Sequence, residues 1–185
     1  MRYDPFRHNR RSIRLPGYDY TAAGSYFVTI NAVHGDASVL FGTIIEGGMV
    51  LNEYGEIVRE CWQDLPSHYD NVVLDAFVVM PNHVHGIIVL VGEPDVVGEP
   101  QVGAGLKPAP TTSVPVRRCH GLPEIVRGLK TFSSRRINVL RETEGTRVWQ
   151  RNYYEHIVGD EKDLARIRAY IEDNPRNWED DEYHV

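Results

Sequence analysis

His83-Val84-His85 is the arrangement in this sequence best suited to chemistry. Side chains alternate along a strand, so residues two apart share a face, about 7 Å apart along the backbone. Two imidazoles on one face can converge on a single ion while Val84 packs into the opposite face. Apolar runs at 72–80 and 84–91 surround the pair and place both rings inside the protein. Two buried imidazoles with no shared partner are costly, and a common metal offsets that cost. The competing reading is a pair of core histidines. Two nitrogens do not complete a metal site, and a hard cation would take oxygen from an amide or carboxylate elsewhere in the chain. The remaining histidines are scattered, and only His156 invites comparison with the pair.

A nucleophile and a third ligand both come from the segment 160–174. Leu164, Ile167 and Ile171 make an apolar stripe at helical spacing, and Tyr170 and Asn174 flank it. Four residues apart on a helix, their Cβ atoms lie about 5–6 Å from one another. If the stripe packs on the sheet, this flank overhangs the face that carries His83 and His85. Tyr170 then brings a nucleophilic oxygen and Asn174 a carbonyl oxygen for a metal. The plainer reading makes Tyr170 a packing residue and Asn174 a helix end before Pro175. Tyr153 and Tyr154 are rival nucleophiles.

These residues need a scaffold. Residues 25–33 read as a strand, and 39–51 as a hairpin turning at Gly47-Gly48. Residues 52–65 have the periodicity of an amphipathic helix that Pro66 ends. The runs at 72–80 and 84–91 predict neighbouring central strands. Helices follow at 123–141 and at 160–173, the latter with Asp160 as N-cap. The order is that of an α+β sandwich, a small antiparallel sheet with helices mainly on one face.

With 185 residues the chain reads as one domain, 1–185. It is interrupted at 92–116 by a Gly/Pro/Val/Thr-rich insertion expected to be flexible. Within that insertion Gly103-Ala104-Gly105 is followed by Pro108-Ala109-Pro110. Gly codons begin GG and Pro codons CC, so complementary arms can encode the two, and a translated DNA palindrome is one reading. No run is long enough for a membrane span. Cys61 and Cys119, far apart, read as free thiols, which points to the cytoplasm. The net charge of −6 conceals a segregation: residues 1–14 carry +4 and 117–151 carry +6. Two basic segments in an acidic protein can hold a polyanion locally. The alternative is a solvated helix face and a frayed tail.

MPNHVH at 80–85, VWQRNYYEHIV at 148–158 and DLARIRAYIEDNP at 163–175 together resemble the REP-associated tyrosine transposases, a branch of the single-tyrosine HUH nucleases. The resemblance spans about residues 15–178. It implies a ferredoxin-like α+β fold and cleavage of single-stranded DNA beside short palindromic hairpins. By that likeness His83, His85 and Asn174 are ligands of Mg²⁺ or Mn²⁺, and Tyr170 is the nucleophile that forms a 5′-phosphotyrosine. Strand transfer follows when a second 3′-hydroxyl reverses the step.

The basic segments then gain a use. Arg117, Arg118, Arg127, Lys130, Arg135 and Arg136 can hold the stem, and Arg2, Arg7, Arg10, Arg11 and Arg14 the flanking strand. The expected protein is a monomer or homodimer at the nucleoid, with DNA as partner and neither membrane nor nucleotide cofactor. An acidic tail, Glu179 to Glu182, departs from the family pattern. Two other classes stay open: a domesticated palindrome binder that does not cut, and a metal phosphodiesterase that uses an activated water.

Overall fold

The alternation of apolar residues in β1 (Gly24–Asn31) and β5 (His83–Leu90) sets the plan of the molecule. The computed structural model describes residues 15, 17–33, 39–92, 119–181, 183 and 184. On one face of these paired strands lie Tyr26, Val28 and Ile30 with Val84, Ile88 and Leu90, all at most 1% exposed. They meet Val58 and Trp62 of α1 (Glu53–Gln63) and Ile125, Leu129 and Ile137 of α3 (Leu122–Leu140) in the main core. On the other face Phe27 and Ile87 meet Ile167 and Ile171 of α4 (Glu161–Asp173). Two helices thus cover one face, and the last helix crosses the other.

The remaining elements are the hairpin β2 (Gly42–Ile45) and β3 (Gly48–Leu51), the one-turn α2 (Leu65–His68), β4 (Val72–Val79) and β6 (Tyr154–Ile157). A 3₁₀ segment, Asn174–Asp180, follows α4. The large sheet runs β4-β5-β1-β6 with every neighbour antiparallel. This β-α-β-β-α-β order, with the hairpin added after β1, is the ferredoxin-like arrangement. The expected α+β fold is borne out.

Local chemistry explains most element ends. The Asn52 side chain accepts from the backbone N–H groups of Tyr54 and Gly55, both at 3.0 Å, and starts α1. Asp160 starts α4 by accepting from the Asp163 N–H at 2.8 Å. Gly86, on the core face of β5, leaves room for Trp62: a Cβ there would lie 2.4 Å from the indole.

The structure corrects four expectations. The hairpin turns at Glu46-Gly47, both at positive φ (52° and 74°), because Gly48 already pairs with Ile45. Pro66 does not stop the chain's helical course. It sits in the first turn of α2, where its missing N–H costs nothing. Of the two apolar runs, 72–80 is an edge strand in the described sheet. β1 takes the other side of β5, and β4 is bulged between Leu74 and Phe77. β6 was not expected at all: its four residues are too few for a periodic signal.

Candidate active site

His83 and His85 are 0% and 1% exposed, on the sheet face that α4 crosses. Their Nε2 atoms lie 2.9 Å apart. Each ring is oriented through its other nitrogen: His83 Nδ1 meets Asn82 Oδ1 at 2.8 Å, and His85 Nδ1 meets Thr29 Oγ1 at 2.9 Å. Asn82 Oδ1 can only accept, so His83 Nδ1 carries the proton and its Nε2 presents a lone pair. Burial pulls both imidazoles from an ordinary pKa of 6.5 down to about 3, so both are neutral near pH 7. Neutral imidazoles with one nitrogen anchored and the other turned inward suit a metal centre.

The stripe of α4 brings Tyr170 to this pair. Its hydroxyl lies 3.3 Å from His85 Nε2, and its ring meets those of His85 and Phe27 edge-on, with centroids 5.1 Å and 6.0 Å away. The residue is 43% exposed and lines a pocket together with His85. Of the rivals, Tyr153 packs against the main core with Lys130 over its ring, on the far face of the sheet. Tyr154, one residue on, points to the near face and shares a pocket of about 240 Å³ with Tyr170 and His85.

Asn174 is 3% exposed, and no hydrogen bond is made to its Oδ1. Its Nδ2 donates to Asp181 Oδ2 at 3.2 Å. A ligand atom of Asp181 in turn lies within 4.8 Å of those of His83 and His85. Among the described residues this is the one group of three such side chains close enough to share an ion. Sequence reasoning missed Asp181, because the acidic tail offered no spacing to single it out. The Tyr183 ring lies tilted against that of His83, 4.8 Å between centroids, and the Tyr183 carbonyl accepts from Asn82 Nδ2 at 2.7 Å. The chain beyond α4 therefore folds back over the histidines.

A metal fits this donor set on two counts. Two neutral imidazole nitrogens face one another, and the Asn174 amide, whose Nδ2 meets the neighbouring Asp181, has a buried oxygen without a partner. Turning the Asn174 amide over would point that oxygen at the Asp181 carboxylate, an arrangement of acceptors that only a cation between them makes favourable.

The basic residues separate into groups. Arg127 and Arg135, with Arg147 and Arg151, line a groove of about 870 Å³ between α3 and the segment before β6. Arg147 and Arg151 were not singled out from the sequence, although both lie in its basic segment. Lys130 lines the same groove, and its ammonium donates to the carbonyls of Gln150 and Asn152 at 3.0 and 2.8 Å. Arg136 is turned toward α1, where it pairs with Glu60. Both have partners within the fold that are distant in sequence. Arg2, Arg7, Arg10, Arg11, Arg14, Arg117 and Arg118, like the insertion at 92–116 beyond Gly92, lie outside the described residues. None of the described helices is long and apolar enough to cross a membrane.

Comparison with known proteins bears on this geometry. Residues 114–174 match the family described as "Transposase IS200 like". The whole chain is 39% identical over 185 residues to an uncharacterised protein of Haemophilus influenzae, 98% of whose length is covered. In fold it is similar to a REP-associated tyrosine transposase solved bound to a REP hairpin. The TM-score is 0.52 at 18% identity, over 83% of this chain and 67% of that one.

Proposed function

The chain belongs to the family of IS200-like transposases, and from that premise we propose that it cuts and rejoins single-stranded DNA beside short hairpins, with Tyr170 as nucleophile. The observation that carries this reading is the meeting of the Tyr170 hydroxyl with His85 Nε2 at 3.3 Å, beside a second imidazole 2.9 Å further on. A divalent ion such as Mg²⁺ or Mn²⁺, held by His83, His85 and Asn174 with Asp181 as a further donor, would polarise a bound phosphate and offset the charge that builds on it. The chain's own residues do the rest. Thr29 and Asn82 fix the two rings. Phe27 and His85 hold the tyrosine ring edge-on, so its oxygen approaches from a set direction.

The Tyr170 oxygen then attacks phosphorus, the bond to the 3′-oxygen breaks, and the 5′-phosphate stays on the tyrosine. The tyrosyl proton is lost and the departing 3′-oxygen gains one. Attack by another 3′-hydroxyl reverses the step and joins strands with no external energy source. The hairpin-bound neighbour supports a DNA hairpin as the partner. Arg127, Arg135, Arg147 and Arg151 offer its phosphates a groove that ends beside β6, whose next residues face the site.

The test is a covalent adduct. Purified protein is mixed with labelled oligonucleotides taken from inverted repeats flanking the gene, with Mn²⁺ or with chelator, and run on a denaturing gel. Wild type, Tyr153→Phe and Tyr154→Phe form the adduct; Tyr170→Phe binds the oligonucleotide and forms none. An adduct in Tyr170→Phe moves the nucleophile elsewhere. Cleavage without any adduct makes the protein a hydrolase, and hairpin binding without cleavage makes it a binder.

A further inference from the structure

We infer that Tyr154 and Arg166, the latter held by Asp163 and His156, form a seat for one unpaired nucleotide beside the reacting phosphate. The base lies on the Tyr154 ring and the phosphate on Arg166. This rests on the strand-transfer reading above and names the part of a DNA substrate that the pocket accepts.

The register of β6 makes the case. Tyr154 pairs with Thr29 and His156 with Phe27, so both side chains project to the face that carries His85. They share the pocket of Tyr170 with Arg166 of α4. Tyr154 is 45% exposed and touches Phe27 only edge-on, with centroids 6.5 Å apart. An aromatic ring left open in a pocket that also holds a guanidinium is a platform on which any base can stack.

Arg166 stands four residues before Tyr170, on the same flank of α4 and one turn away, about 5.4 Å. That step is comparable with the distance between neighbouring phosphates on an extended strand. The guanidinium does not wander. Its Nη2 donates to Asp163 Oδ1 at 2.6 Å, while Asp163 Oδ2 accepts from His156 Nε2 at 2.7 Å and from the Gly159 N–H at 3.2 Å. The His156 hydrogen bond, then that of Arg166, holds the Asp163 carboxyl down to about 2, so it stays ionised. Among the described residues Asp163 is the only hydrogen-bond partner of Arg166, which leaves most of its five donors for a ligand. Helix capping does not explain the cluster. Asp160 already caps α4, and a cap requires neither an imidazole nor a guanidinium at the mouth of a pocket.

The experiment compares two labelled oligonucleotides, a bare hairpin and the same hairpin with a single-stranded flank, by fluorescence anisotropy. All proteins carry Tyr170→Phe so that no cutting intervenes. Tyr154→Ala and Arg166→Ala each weaken binding of the flanked hairpin about tenfold and leave the bare hairpin within about twofold; Tyr154→Phe changes neither. A 2-aminopurine at the unpaired position brightens when Tyr154→Ala removes its stacking partner. Arg166 is 70% exposed at its side chain, so its replacement tests the seat without threatening the fold.

Equal affinity of all variants for the flanked hairpin overturns the inference. So does loss of the covalent adduct in Tyr154→Phe with Tyr170 intact, which would make Tyr154 the nucleophile. If the parent protein binds neither oligonucleotide, the strand-transfer reading falls and takes the seat with it. If it binds both, and the flank gains nothing from Tyr154 or Arg166, the seat alone falls.

Discussion

The two faces of β5 are built from one eight-residue strand and held by different physics. Val84, Gly86, Ile88 and Leu90 face α1 and α3, where contact is apolar and so close that Trp62 occupies the space of a missing Cβ. His83 and His85 face α4, where directional hydrogen bonds join a smaller apolar cluster and two buried oxygens, those of Asn31 and Asn174, lack a partner. The first face is complete without a ligand. The second buries polar groups, among them the Asn174 Oδ1 that accepts no hydrogen bond. A rigid face behind a poised face is how a small sheet can hold reacting groups in register.

The sharpest way to separate the faces is His83→Ala/His85→Ala. The double variant loses all Mn²⁺-dependent cleavage, yet it still binds a hairpin through the distant groove. Wild type gains thermal stability with Mn²⁺, about 2.7 kcal/mol at a hundredfold excess over Kd, and the variant gains none. Full cleavage by the variant would remove the site from this face.

Gly86→Ala attacks the other face. The new methyl meets Trp62 and Phe77, and we expect a loss of about 1–3 kcal/mol in denaturant unfolding, felt equally with and without metal. A loss that metal restores would mean that the faces are coupled.

Acid should act on the histidine pair. In the folded protein both imidazoles titrate near 3 rather than 6.5, so the unfolded chain binds more protons between those values. Their contribution to stability is fully present above pH 6.5 and is lost as pH falls toward 3. Melting of the chelated protein from pH 7 to pH 4 will show a falling Tm, and His83→Ala/His85→Ala will flatten that slope. An unchanged slope would assign the acid sensitivity to other groups.

The smallest effect concerns the groove. Arg135→Ala or Arg147→Ala each lowers the slope of log affinity against log salt by about one unit. Arg136→Ala, whose partner is Glu60, leaves the slope alone and costs under about 1 kcal/mol of stability. A slope change in Arg136→Ala would return that residue to the DNA surface.

The alternation of His83 and His85, the stripe that turns Tyr170 toward them and the Asp160 cap were all legible in the sequence. Each is a consequence of strand or helix periodicity over a few residues. Pairing across the chain is different, because no local pattern encodes it. β6 became a strand only because β1 offered it an edge, and that pairing put Tyr154 on one face and Tyr153 on the other. That Arg136 pairs with Glu60 and that Lys130 binds two carbonyls were likewise hidden, since those partners are distant in sequence. Asp181 was one acid among several in a tail. The turn of the chain after α4 brought it to the histidines, and the sequence could not foresee this because packing, rather than spacing, fixes where that tail lies.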